Sequence, residues 1–329
     1  MTISVFGASG HTGQFVVAEL RRRAVPSILS GRDPDRLARL YPDDDRRPAS
    51  VDDPASLDAA LAGADAVVNC AGPFADTHAP VLDAALRNGI PYLDVTAELE
   101  VVAEILARYD GPARAAGVTV VPAMAFFGAV GDLLATAATA GWPAADRIDL
   151  AYALSDWRPT DGTRATGRVS AGRRDGRRLR YADGRLGFGT GAAPTGEWAF
   201  PGPVGTLPVV GEFATADSVT IPHHLSTKDI GSWMHTRAAE DLRSPDPTPP
   251  TAVDSEGRSA QTFLVEVVAR RGDEERRAAV SGRDIYAVTA PLVVEAALRV
   301  VKDPVPGAHT AGALFDPGDF LGATLTGSG

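Results

Sequence analysis

One cysteine, Cys70, occurs in 329 residues, which excludes an intramolecular disulfide and a cysteine-based structural zinc site. Lysine is almost missing as well: apart from Lys228 and Lys302, every basic side chain is an arginine. Basic residues are outnumbered, 32 against 42 acidic ones, for a formal net charge of −10. A surface that negative repels a phosphate backbone, so nucleic acid is not expected as a partner. The obvious basic cluster, Arg21-Arg22-Arg23, falls at the end of an expected helix, where cations complement the helix dipole. No window approaches the roughly 18 uninterrupted apolar residues of a membrane helix, so no membrane association is expected. The opening MTISVFGASG lacks a basic segment followed by a long apolar stretch, so no signal peptide is expected. A soluble protein of the reducing cytoplasm is the expectation.

What is present has the balance of a folded chain, 44% hydrophobic and 22% charged residues, with enough length for two domains. Apolar strand-like runs at 2–6, 27–29, 48–51, 66–70, 92–95 and 118–122 alternate with helical patterns at 14–23, 35–40, 53–62, 79–88 and 98–116. That alternation argues for a doubly wound parallel sheet. After about residue 127 the pattern changes. A linking helix is expected at 128–140, then strands at 147–154, 167–173, 177–181, 206–213 and 261–270, separated by turn residues, as in an antiparallel sheet. Residues 244–257 read as a proline-rich surface loop, and 290–301 as a last helix. The expected division is a dinucleotide-binding domain at 1–127, a substrate and dimerisation sheet domain at 128–285, and a C-terminal helix and tail at 286–329 that pack back on the first domain.

The sharpest signal is Gly7-Ala8-Ser9-Gly10-His11-Thr12-Gly13, set between the first strand and the first helix. Gly7 permits a tight turn, Gly10 lets backbone approach a diphosphate, and Gly13 allows close packing of helix on sheet. The amino end of the helix then offers unpaired amides and positive dipole to the phosphates. At the end of the second strand an NAD site usually carries an acid for the ribose hydroxyls. Here the residues are Ser30-Gly31-Arg32, with Arg36 one turn on, which suits a 2′-phosphate and so NADP(H). Asp33 lies just past that place and is an alternative ribose ligand. Asp52 is placed either to bond the adenine amine or to cap the next helix.

The turn Cys70-Ala71-Gly72-Pro73-Phe74 leaves the fourth strand at its carboxyl end, beside the expected switch point. Ala71 and Gly72 allow close approach there, and Pro73 and Phe74 are candidates to wall one face of a nicotinamide ring. Cys70 reads as a small buried apolar residue. Asp94 and Glu98 follow the next strand and are candidate proton donors, although Glu98 equally reads as a first-turn helix acid with Thr96 as cap. His78 is a further donor candidate, or a helix-surface histidine. Trp157 and Arg164 are candidates to wall a substrate cleft and to bind a carboxylate or phosphate; a core tryptophan and a solvated arginine are the alternatives. His223 and His224 are adjacent in an extended reading and so point apart, and no metal site is expected. None of the six tyrosines has lysine four positions on, which removes the Tyr-x-x-x-Lys proton donor.

Together GASGHTG at 7–13, VVNCAGPF at 67–74, YLDVTAELE at 92–100, VVPAMAFFGAVGDLLA at 120–135 and GRDIYAVTA at 282–290 resemble the saccharopine dehydrogenase-like oxidoreductases. The resemblance implies a Rossmann domain carrying an inserted mixed or antiparallel sheet domain, with substrate in the cleft between them. It also implies reduction of C=N bonds of amino-acid conjugates, or enoyl reduction with a partner. Where that family has an acid near its substrate, this chain has Phe127, while Asp132 is kept. An apolar cleft and a less polar acceptor are therefore expected. The expected activity is NADPH-dependent reduction of a C=C or C=N bond in a small metabolite, of the kind found in secondary metabolism. A second copy of the chain and a carrier protein that presents the substrate are the candidate partners. A cofactor-sensing regulatory protein without chemistry is the competing reading.

Overall fold

The computed structural model describes residues 1–325, which form two compact units. The first comprises Met1–Ala125 and Tyr286–His309, the second Phe126–Ile285 and the chain from Thr310 onward.

The first unit alternates strand and helix: β1 (Ile3–Phe6), α1 (His11–Arg22), β2 (Ser27–Ser30), α2 (Pro34–Leu40), β3 (Asp45–Arg46), α3 (Pro54–Leu61) and β4 (Ala66–Asn69). Then follow α4 (Phe74–Asn88), β5 (Tyr92–Asp94), α5 (Leu99–Arg108), α6 (Asp110–Ala116) and β6 (Thr119–Val121). Every residue of β1 and β4 is buried, as expected of strands with helices on both faces. The sheet order is β3-β2-β1-β4-β5-β6, all parallel, so the order reverses between β1 and β4. The carboxyl ends of those two strands therefore flank the switch-point crevice.

The third strand is shorter and earlier than expected at 48–51, because Pro48 has no N–H to give the ladder. Bonds from Arg47 N to Leu29 O and from Ala49 N to Gly31 O nonetheless carry the chain alongside β2.

In the second unit, a non-helical kink at Phe127 and Gly128 delays the linking helix to α7 (Gly131–Ala138). There follow β7 (Ala145–Leu154), α8 (Asp161–Arg173), β8 (Leu179–Ala182), β9 (Arg185–Phe188), β10 (Thr195–Ala199), β11 (Thr206–Gly211) and α9 (Asp217–His224). Next come β12 (Thr227–His235), α10 (Thr236–Arg243), β13 (Thr262–Arg271) and β14 (Glu274–Arg283). Their order is β10-β11-β12-β7-β13-β14, with β8 and β9 branching from β12. The β7–β12 pair is parallel and the β7–β13 pair antiparallel, so the sheet is mixed.

Residues 167–173 are not a strand but the end of α8, which Thr160 starts by accepting a hydrogen bond from Thr163 N. Glycines at 162, 167 and 172 mask that helix, because each lowers helix propensity without breaking the turn.

The chain then returns to the first unit with α11 (Thr289–Lys302) and β15 (Gly307–Ala308), which extends the parallel sheet beside β6. From Thr310 it belongs to the second unit, where α12 (Ala311–Leu314) and α13 (Pro317–Leu325) pack on α7. The expected packing of 286–329 on the first domain thus stops at His309, and residues 326–329 lie outside the described residues. No helix among the described residues is long and apolar enough to cross a membrane.

Candidate functional site

The glycine loop closes tightly. Gly10 N bonds Gly7 O, and a Cβ on Gly13 would lie 2.2 Å from that same carbonyl oxygen, so only glycine fits there. Gly7 has φ +85°, and a Cβ on it would meet Ala71 N at 2.8 Å. The turn after β1 is therefore pressed against the turn after β4, which brings the two cofactor segments of the sequence reading together.

No side chain caps α1 and its first turn holds no acid, whereas Asp33 caps α2 and Asp53 caps α3. The positive end that begins at Gly10, His11 and Thr12 is left for a ligand anion. Tyr41, at the end of α2, donates its hydroxyl to Ala8 O at 2.8 Å and pins the loop from behind. Burial pushes that hydroxyl up to about 12, so it stays a donor. From the returning segment, Tyr286 sets its ring edge-on to His11 at 5.1 Å.

Where β2 ends, Ser30 is fully buried and its Oγ has no hydrogen-bond partner among the described residues. Ser9 stands next to it, with Oγ 3.9 Å from where a Gly31 side chain would begin. Asp33 accepts from Arg36 N and is committed to capping α2. The Arg32 and Arg36 side chains are exposed and make no bond or ion pair with any described residue. Because Asp53 caps α3, the helix-cap alternative for Asp52 falls away, and its carboxylate is exposed beyond the Gly31–Ala49 pairing. An orphaned buried hydroxyl, two uncommitted guanidiniums and an uncapped helix fit a 2′-phosphorylated dinucleotide.

The turn at 70–74 is held by a polar lattice. Asn69 accepts from Ala71 N and donates to Thr77 and to Tyr92, while Thr77 donates to Ala71 O. Glu98 spreads its two carboxylate oxygens over the start of α4, accepting from Phe74 N at 2.6 Å and Ala75 N at 3.1 Å. It thus supplies, from another element, the cap that Pro73 cannot. Asp94, fully buried, accepts from Tyr92, Thr96 N and Ala123 N. Burial pushes its carboxyl up, and the two backbone N–H groups and the Tyr92 hydroxyl pull against that. Cys70 is likewise pushed up by burial, so its thiol is inert.

His78 Nδ1 lies 2.7 Å from Phe74 O and its Nε2 3.8 Å from the Glu104 carboxylate of α5. Asp94 and Glu98 are therefore occupied in holding the turn and its helix, while His78 holds Phe74 O through one ring nitrogen and leaves Nε2 without a hydrogen bond among the described residues. Glu98→Gln should lower stability by about 1–2 kcal/mol, because a neutral amide offers one acceptor where two amides need it. Thermal or urea unfolding of the variant, with its turnover alongside, separates this from a proton-donor role, which would cost activity with the fold intact.

Phe127 and Trp157 lie in the second unit. Their rings are 5.5 Å apart in a buried aromatic cluster that continues to Tyr152 and Phe213. Arg164 is not with them. From α8 it reaches the carbonyls of Ser244 and Asp246, tying down the proline-rich loop.

A buried polar group here has no counterpart in the sequence reading. Asp132 accepts from Gly312 N and pairs with His224 Nε2 at 2.8 Å, joining α7, α9 and α12. Asp217 accepts from Tyr152 at 2.7 Å and from Thr215 at 2.6 Å. Among the described residues no group of three His, Cys, Asp or Glu side chains is arranged to hold a metal ion.

Residues 3–121 match the family model of the saccharopine dehydrogenase NADP binding domain. A saccharopine dehydrogenase-like oxidoreductase of Mus musculus is 30% identical over 150 residues, covering 39% of this chain and 35% of that protein. A probable mitochondrial saccharopine dehydrogenase-like oxidoreductase of Arabidopsis thaliana is 34% identical over 144 residues, covering 37% of this chain and 31% of that one. The match thus spans about a third of the length of these curated relatives. Apo saccharopine dehydrogenase (L-Glu forming) from Saccharomyces cerevisiae superposes with a TM-score of 0.62 at 13% identity, over 97% of this chain and 96% of that one, which establishes the shared fold. The sequence of the first unit is thus similar to a saccharopine dehydrogenase NADP binding domain, and the chain shares the fold of the yeast saccharopine dehydrogenase.

Proposed function

We propose that the chain is an NADPH-dependent reductase that delivers hydride to a C=C or C=N bond of a small, fairly apolar metabolite in the cytoplasm. Bound NADPH supplies the hydride to one atom of the double bond, and the other atom takes a proton. The observation that carries the reading is the Gly7–Ala71 contact, which sets the diphosphate loop against the turn beside the nicotinamide end of a switch-point crevice. In this reading α1 binds the diphosphate, and Ser9, Ser30, Gly31 and Arg32 hold the 2′-phosphate. Asp52 takes the adenine amine, and Ala71 to Phe74 form one wall for the nicotinamide ring.

Asp94 and Glu98 act by keeping that wall in place, so water or the substrate's own acidic group supplies the proton. Phe127 supports an apolar acceptor, because it replaces a carboxylate that would pair with an ammonium group. Purified protein should bind NADPH saturably and oxidise it in the presence of α,β-unsaturated thioesters or cyclic imines. Tight NADPH binding with no oxidation across both panels would hand the protein to the cofactor-sensing reading instead.

A further inference from the structure

Helix α8 lacks what usually holds a helix in place. Of its 13 residues only Ser170 is buried, and Val169 is the one large apolar side chain, so no apolar stripe faces a core. No other helix or strand among the described residues packs closely along it. Its three glycines, at 162, 167 and 172, each favour the melted chain about fivefold over alanine. The Thr160 cap offsets about one of them. A free helix of this length and composition melts in water.

A tie to a distant part of the chain comes from Arg164. It donates from Nη1 to Ser244 O at 2.9 Å and from Nη2 to Asp246 O, fixing the helix to the proline-rich loop. The loop is a stiff receiver: Asp246 accepts from both the amide and the hydroxyl of Thr248, and prolines stand at 245, 247, 249 and 250. In the last turn of α10, just before Ser244, Asp241 accepts from Trp157 N at 3.0 Å. Trp157 itself is 5% exposed and packs on Phe127 and Phe213. The segment that leads into α8 and the loop that receives its latch are thus pinned together at Trp157.

A permanent tie would use the guanidinium fully. Arg164 Nε is instead buried with no hydrogen-bond partner among the described residues, and an unmade bond of that kind costs about what a made one gains. Two bonds to neutral carbonyls therefore stand against a buried N–H and the surplus cost of the glycines, so the two sides nearly balance. We propose that α8 is a conditional helix, a lid hinged at Trp157 that Arg164 latches to the proline-rich loop and that opens by local melting. It is independent of the reductase reading.

Opening of this kind leaves the sheet intact. Strands β7 and β13 bury their apolar residues in the core and stay formed while α8, which contributes almost nothing to that core, comes and goes. The melted segment carries little apolar surface beyond Val169, so opening adds no sticky patch of its own. What it gives solvent and ligands is a path to Trp157 and, behind it, the Phe127 ring.

Hydrogen exchange of the full chain, followed by mass spectrometry, reads the lid directly, because helix amides exchange when the helix opens. In the wild type residues 161–173 should exchange at least about a hundredfold faster than β7 and β13. Arg164→Gln keeps most of the side chain and loses the charge. It should speed exchange in 161–173 by about tenfold and leave the strands unchanged. Acrylamide should then quench tryptophan fluorescence more strongly than in the wild type, a rise that Trp157→Phe removes. The double variant Gly167→Ala/Gly172→Ala acts in the opposite sense: both positions have open space for a methyl group, and exchange in 161–173 should slow by about twentyfold. Wild-type exchange there as slow as in the strands would overturn the proposal. So would an Arg164→Gln variant with unchanged exchange in 161–173, or one in which every strand accelerates equally. If Arg164→Gln does not fold, the alanine pair still decides, since no slowing in 161–173 would refute local melting.

Discussion

Exchanging Arg32 for glutamate should weaken NADPH binding by about 100-fold and change NADH binding by less than about threefold. The asymmetry follows from position. Arg32 comes immediately after Gly31, at the end of β2, and its guanidinium has no protein partner to lose. The substitution therefore removes nothing from the folded protein and acts only when a 2′-phosphate arrives, where a charge-assisted, two-pronged bond is replaced by repulsion. Arg36, one turn into α2, is equally uncommitted and should retain part of the affinity in the single variant. The double exchange with Arg36→Glu should therefore be the more severe. Asp33 already spends one carboxylate oxygen on Arg36 N to cap α2. Intrinsic fluorescence titration with both dinucleotides reads the outcome. Equal losses for NADPH and NADH would mean that the 2′-phosphate is held elsewhere, and the assignment of Ser30, Gly31 and Arg32 would fall with it.

How much of this was legible beforehand depends on how local each signal is. The tight glycine turn was legible because three glycines, a strand and a helix lie within one short stretch, and their packing follows from spacing alone. The place of Arg32 and Arg36 just after β2 was legible for the same reason. Glu98 was not. Its carboxylate caps a helix that begins 24 residues earlier in the chain, and nothing near residue 98 announces that partner. Asp94 similarly depends on Ala123 N, 29 residues away. A buried acid after a strand carries the same sequence signature whether it donates a proton or holds a loop.

The second unit was read less well because its pairings are distant. β12 lies between β11 and β7, and the parallel β7–β12 pair needs a long excursion that no turn motif marks. His223 and His224 close the helix α9 and are not in an extended segment, and the partner of His224, Asp132, is 92 residues away. Tyr286 had only the stretch GRDIYAVTA to point to it, and its place beside His11 emerges from the fold.

The same second unit holds the group with the largest expected effect on stability. Asp217 is buried at the start of α9; its Oδ2 accepts from Tyr152 and Thr215, and its Oδ1 has no partner among the described residues. That oxygen lies 2.2 Å from where a Gly131 side chain would begin, so only glycine fits at position 131. Burial pushes the carboxyl from 3.8 up to about 6, with the Asp132 carboxylate adding to the push and the two hydroxyls opposing it. Because the folded value lies above the unfolded one, the stabilisation is fully present below about pH 4 and is lost as pH rises through about 6. A gap of about two pH units corresponds to about 3 kcal/mol. Asp217→Asn keeps an acceptor for both hydroxyls and cannot ionise. Between pH 4 and pH 8 the stability of the variant should therefore rise relative to wild type by about that amount. Urea unfolding of the two proteins across this range measures the difference directly. Parallel stability curves would show that Asp217 ionises in the folded protein as readily as in the unfolded chain.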